Sequence, residues 1–173
     1  MIIRPAEPTD ATSGAHCHLA CWREAYVDLV EPERLAALTA DLAGSLRLWR
    51  RVTSGDQAPL IAVENEAVVG FIAAGPAQEP GVDADFWLRV LNVRRKYWGT
   101  GVAQRLYDAA VGNRSAYLWV LRDNARARAF YARNGFVPDG AAKIDPDFAA
   151  PIIRMVRATA GSGSGSSGSR HGC

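Results

Sequence analysis

Cysteine is scarce in this chain, three residues in 173, and no Cys-x-x-Cys pair occurs. An odd count without that spacing argues against a disulfide framework. Histidine is as rare, also three. His16, Cys17, His18 and Cys21 cluster, but His16 and His18 point to different faces of a predicted helix. The other His and Cys stand near the end of the sequence, so no metal is expected, and the cysteines read as small buried residues. No apolar run reaches the roughly 20 residues of a membrane span, so no membrane partner is expected. Met1-Ile2-Ile3-Arg4-Pro5 lacks the apolar core of a secretory signal, which makes the cytoplasm the default compartment. Charge of one sign is missing too: the formal net charge is +2, which leaves no bulk electrostatic case for nucleic acid. With 49% hydrophobic and 22% charged residues, the composition is that of one well-packed globular domain, and the length is too short for two.

Periodicity places the elements. Ile2 to Pro5 reads as a first strand, and Pro8-Thr9-Asp10 opens a helix with the apolar stripe Ala15, Leu19, Trp22, Tyr26 and Leu29. Glu31-Pro32 starts a second helix expected to run unbroken to about Val52, with Leu35, Leu38, Leu42, Leu46 and Trp49 on one face. Two strands, Leu60 to Val63 and Val68 to Ala73, are joined at Glu64-Asn65-Glu66. Asp83 to Val93 reads as a strand, Val102 to Val111 as a helix stopped by Gly112, and Ala116 to Leu121 as a strand. A helix over Ala125 to Arg133 stops at Asn134-Gly135, and Phe136-Val137 and Pro151 to Arg157 supply two last strands. That order predicts an α/β (α+β) fold, a mixed sheet with helices on both faces, within residues 1–158. Residues 159–173 are Gly/Ser-rich and cannot bury a core, so they read as a disordered tail or an appended linker.

The stretch that carries chemistry is Tyr97-Trp98-Gly99-Thr100-Gly101-Val102-Ala103-Gln104. It lies between a strand and a helix, so its glycines put backbone N–H groups at a helix N-terminus, where a phosphate can be cradled. It is not a dinucleotide fingerprint, because the sixth position is Arg105, and it is not a P-loop, because Gly-Lys-Ser/Thr is absent. Arg94-Arg95-Lys96 just before it is either a solvated strand end or an attractor of phosphates. Downstream, Asp123 or Asn124 caps a helix on which Asn124, Ala127 and Tyr131 share one face. Small Ala127 leaves room beside Tyr131 for a flexible ligand chain, while Phe130 and Phe136 read as core anchors.

Together the two segments resemble the GNAT superfamily of acetyl-CoA-dependent N-acetyltransferases. The family pattern Arg/Gln-x-x-Gly-x-Gly/Ala aligns with Trp98-Gly99-Thr100-Gly101-Val102-Ala103. The more specific match is Leu118-x-Val120-Leu121-x-x-Asn124-x-x-Ala127-x-x-Phe130-Tyr131-x-x-x-Gly135-Phe136. The resemblance spans about 1–157 and departs from the pattern at Trp98, where relatives carry Arg or Gln. It implies a mostly antiparallel central sheet and acetyl-CoA as cofactor. The pyrophosphate would lie on the N–H groups from Gly99 to Gln104. The pantetheine arm would pair with the backbone at Leu91, Asn92 and Val93, with Asn124 and Ala127 along it.

Tyr131 matches the family's general acid; its alternative is a core tyrosine packed beside Ala127. Trp22 and Tyr26 belong to the helix that borders the acceptor pocket in relatives, and either shape that pocket or pack the core. The family's strand glutamate corresponds to Trp87, so the general base stays open: Glu24, Asp28, Asp83, Asp85 or a water route. The expected reaction is acetyl transfer to the primary amine of a small molecule in a ternary complex, by an enzyme that forms homodimers by default. The alternatives are a protein N-terminal or lysine acetyltransferase and a non-catalytic acyl-CoA-binding module.

Overall fold

Asn65 and Glu66 both take positive φ, 50° and 62°, and so close a tight hairpin between β2 (Leu60–Glu64) and β3 (Ala67–Pro76). From this hairpin the computed structural model, which describes residues 1–158, builds one seven-stranded sheet. The tail expected at 159–173 lies outside the described residues. The other strands are β1 (Ile2–Pro5), β4 (Phe86–Val93), β5 (Ala116–Leu121), β6 (Val137–Asp145) and β7 (Ala150–Arg157). Their order is β1-β2-β3-β4-β5-β7-β6, and every neighbouring pair is antiparallel except β4 and β5.

Alternation along the strands divides the core in two. Ile61, Val68 and Phe71 face α1 (Ala11–Tyr26) and α3 (Leu42–Thr53), packing with Ala15, Cys17 and Trp49. Ala62, Val69 and Ile72 face the other way, toward Leu106 and Tyr107 of α4 (Val102–Ala110) and Tyr131 of α5 (Ala125–Arg133). Helices therefore cover both faces, as the element order predicts.

Two elements differ from expectation. The long second helix breaks at Asp41, whose φ/ψ of −80°/71° is not helical and whose carboxylate caps Gly44 N–H at 2.7 Å. The break yields α2 (Pro32–Ala40) and α3, and it leaves Leu42 exposed rather than on the apolar stripe. An Asp followed by a good apolar period reads as helix interior from spacing alone, but its side chain competes for the backbone. The strand expected at Phe136-Val137 runs on to Asp145. It is an exposed edge strand with a register shift between Pro138 and Ala142, so it carries no apolar alternation to read.

The sheet opens in the middle. β4 and β5 pair only at Phe86–Ala116 and Trp87–Tyr117 and then part. A register shift at Ala73/Ala74 leaves Arg89 as an extra residue on β4, which bends the strand where the separation begins.

Close approach of α1 to α3 depends on Gly14, because a Cβ there would fall on the Trp49 ring, itself 2% exposed. Gly14→Ala should lower unfolding stability by about 1–3 kcal/mol through overpacking, outweighing the ~1 kcal/mol helix-propensity gain. Urea denaturation measures it, and a net stabilisation would refute the packing argument.

Candidate active site

Where β4 and β5 part, two cavities form that share a wall of Leu91, Asn92, Arg126, Ala127 and Tyr131. The first, of about 310 Å³, runs from the β4 end across the glycine loop to α5. Leu91, Asn92, Val93, Trp98, Gly99, Gly101, Ala103, Gln104, Ala127 and Tyr131, all singled out from sequence, line it. Three of the expected residues do not. Val102 is buried beneath the loop, the Thr100 hydroxyl donates to the Tyr97 carbonyl at 2.7 Å, and Asn124 lines the second cavity.

The loop geometry has a plain cause. Gly99 and Gly101 take φ of 76° and 86°, which a side chain tolerates poorly, and a Cβ at either would meet nothing but open space. Side chains cap α2, α3 and α5, through Glu31, Asp41 and Asn124. The N-terminus of α4 at Gly101 has no such cap, and Gly101, Ala103 and Gln104 of its first turn line the cavity. A helix start of this kind accepts an anion such as a phosphate.

Trp98 does not turn its side chain to the loop N–H groups. Its Nε1–H donates to the Val93 carbonyl at 2.8 Å, which folds the indole back onto the end of β4. Arg94 is likewise committed: it donates to the Glu24 carboxylate at 2.9 and 2.8 Å, and Glu24 also accepts the Arg95 N–H. This tie joins α1 to the strand end and removes Glu24 from the candidate bases. Burial pushes the Glu24 carboxyl up, but hydrogen bonds from Arg94 and Arg95 outweigh it and hold the group below its ordinary value. Asp85 accepts from Ser115 Oγ at 2.6 Å, and neither it, Asp28 nor Asp83 lines a cavity.

The second cavity, of about 460 Å³, holds Trp22 and Tyr26. Trp22 stands edge-on to His18 at 4.8 Å and to Phe148 at 5.0 Å, and Tyr26 lies 4.7 Å from Phe148. Phe148 comes from the β6–β7 hairpin, where Asp145 accepts the N–H groups of Asp147 and Phe148. Sequence reasoning missed His18, Asp145 and Phe148 as site residues, because only the hairpin's return over α1 brings them together. Burial lowers the His18 imidazole to about 4, and its Nδ1 accepts from Trp49 Nε1 at 3.4 Å, so the ring is neutral near pH 7. Trp87, at the expected glutamate position, stacks on Tyr117 with centroids 6.0 Å apart.

Tyr131 sits between the cavities, 9% exposed, with no hydrogen-bond partner for its hydroxyl among the described residues. Burial pushes its phenol well above the ordinary value, with Tyr26 adding to the rise and Arg126 opposing it. Asn124 Oδ1 accepts Ala127 N–H at 3.0 Å, so this residue is a helix cap that also borders the second cavity. Asn92 is 8% exposed, and its Nδ2 is a buried donor without a partner. Among the described residues no three His, Cys, Asp or Glu side chains gather as metal ligands, and no helix is long and apolar enough to cross a membrane.

Known proteins match this arrangement. The family model for the acetyltransferase (GNAT) family matches residues 19–136. A probable N-acetyltransferase of Mycobacterium tuberculosis is 27% identical over 149 residues, covering 80% of each chain. The PaiA N-acetyltransferase of Thermoplasma acidophilum, crystallised with coenzyme A, superposes with a TM-score of 0.69 at 18% identity, over 91% of this chain and 98% of that one. Ard1 of Thermoplasma volcanium gives 0.62 at 23% identity, over 91% and 97%.

The Glu24 tie stabilises the fold only while its carboxyl is ionised. A depressed folded-state pKa means the contribution is complete above the ordinary carboxylate value of about 4.3 and fades as pH falls through the folded value. Glu24→Gln should therefore be less stable than wild type by about 1 kcal/mol at pH 7, with the gap closing toward pH 3. Denaturation curves at both pH values check this, and a gap that ignores pH would sink it.

Proposed function

The chain belongs to the acetyltransferase (GNAT) family, and on that premise we propose that it moves an acetyl group from acetyl-CoA to the primary amine of a small molecule. The observation that carries the reading is the meeting of an anion-accepting groove and an aromatic-walled cavity at one unpartnered tyrosine hydroxyl. The uncapped α4 start and the open space above Gly99 and Gly101 suit a diphosphate. Beyond Trp87 the β5-facing edge of β4 has no strand beside it, so alternate residues of the Leu91–Val93 stretch offer backbone groups to an extended amide-bearing arm, apart from the Val93 carbonyl, which accepts from Trp98 Nε1. The first cavity suits coenzyme A in both respects.

Acetyl-CoA, when bound, supplies the activated thioester. The chain's residues then have three tasks. Backbone N–H groups of β4 beyond the bend at Arg89 would polarise the acetyl carbonyl of a bound thioester. Trp22, Tyr26 and Phe148 would hold the body of the acceptor by aromatic contact. The Tyr131 hydroxyl would donate its proton to the departing sulfur and regain one from water in the cavities it borders. Its raised pKa keeps it protonated throughout the physiological range, and the same burial makes the sulfur a stronger base than in water. Glu24 and Asp85 are spent on other partners and Asp145 accepts N–H groups of its own hairpin, so the amine proton would leave by water through the cavity mouth, which Asp147 also lines. A cavity of about 460 Å³ closed on one side by Phe148 favours a small acceptor over a folded polypeptide.

A thermal-shift titration with acetyl-CoA, coenzyme A and ATP tests the groove. Stabilisation by both coenzyme A forms at a hundredfold excess over Kd should reach about 2.7 kcal/mol, with no response to ATP. Absence of any shift would overturn the reading. Tyr131→Phe should bind cofactor as wild type does and lose on the order of 10²–10⁴ in turnover, followed as amine-dependent thiol release. Parallel loss of binding and turnover would make Tyr131 structural instead.

A further inference from the structure

Position 98 offers an indole rather than a cation to the glycine loop, and that indole is pinned to the Val93 carbonyl. A cation nevertheless stands there. The Arg126 guanidinium carbon lies 3.5 Å from the centroid of the Trp98 ring. Arg126 belongs to the first turn of α5, on the opposite wall of the groove, so the stack bridges the two walls. Among the described residues no carboxylate or carbonyl accepts from Arg126, which leaves the donors of a planar fork unspent in the groove that the uncapped start of α4 also lines. The other arginines near the loop differ. Arg94 is bound to Glu24, and Arg95 is farther from the same ring, at 5.6 Å. Arg133 lines the groove seven residues further along α5, about 10 Å away along the helix axis.

Resting on the acetyl-CoA reading, we propose that Arg126 is the side-chain cation that binds the cofactor pyrophosphate, and that Trp98 is the platform holding its guanidinium in the groove the loop lines. Guanidinium pairs bidentately with phosphate oxygens, and stacking on an aromatic face leaves its in-plane N–H groups available to do so. The loop N–H groups and the guanidinium then grip the same diphosphate from two walls. The indole that replaces the family's usual residue is in this way part of the phosphate site.

Isothermal titration of coenzyme A and of 3′-dephospho-coenzyme A against wild type, Arg126→Ala, Arg126→Lys, Trp98→Ala and Trp98→Phe tests this. Arg47→Ala is the charge-matched control, an exposed arginine on α3 that lines neither cavity. Arg126→Ala should weaken both ligands alike, by about tenfold or more, and Arg126→Lys should recover part of the loss. Trp98→Phe, which keeps a ring, should lose less than Trp98→Ala. Unchanged binding by Arg126→Ala relative to Arg47→Ala overturns the proposal. A loss confined to coenzyme A, sparing the dephospho form, also overturns it, because the guanidinium would then serve the 3′-phosphate. Failure of wild type to bind either ligand would instead overturn the acetyltransferase reading on which this one rests.

Discussion

The parting of β4 from β5 is the constraint on which the site depends. Parallel strands that begin together at Phe86 and Trp87 leave, two residues later, a backbone edge without a partner. Unpaired N–H and C=O groups inside a fold are costly, on the order of 1–3 kcal/mol each when nothing replaces water. A protein keeps such an edge where water or an extended ligand completes it. The extra residue at Arg89 bends β4 at the start of the gap, and α4 and α5 then flank it from one face while α1 closes it from the other. Both cavities are consequences of that single opening.

Charge near the opening is distributed by a consistent rule. Carboxylates that could serve as bases are occupied elsewhere: Glu24 by Arg94 and a backbone N–H, Asp85 by Ser115. On the acceptor side two groups are neutral near pH 7, although Arg89, Arg126, Lys143, Asp145 and Asp147 also line that cavity. His18 is held down to about 4 by burial, and Tyr26 is raised to about 12 by the same cause. Arg126 lines both cavities and so carries positive charge at the boundary between them. In the proposed reading recognition of the cofactor falls to backbone and guanidinium, and recognition of the acceptor's body to aromatic surface.

The aromatic residues serve two purposes that spacing along a helix cannot separate. Trp22 and Tyr26 recur at i, i+4, which suits a core stripe, and in the fold they pack on Phe148 while lining a cavity. Trp49, from the same kind of periodic pattern, is wholly core and reaches the site only by donating to His18. The difference arises from what the neighbouring chain does: α1 and β3 cover Trp49, whereas the β6–β7 hairpin brings Phe148 over Trp22.

What the sequence determined by itself is what local chemistry specifies. Glycines between a strand and a helix marked the loop, Asp123 or Asn124 marked a helix start, and short apolar runs marked β2, β3, β4 and β5. Ordered along the chain, these signals identify the family and the mixed sheet. The break at Asp41 escaped because a side chain overrode the apolar period, and most of β6 escaped because an exposed edge strand has no buried face to pattern. Only the tertiary structure decided which cation meets the loop, where Glu24 is spent, and which rings wall the second cavity. Arg126 stands 28 residues after Trp98, and Phe148 stands 126 after Trp22. Their encounters are set by how α5 and the β6–β7 hairpin fold back over the opening, and no periodicity within either segment encodes that.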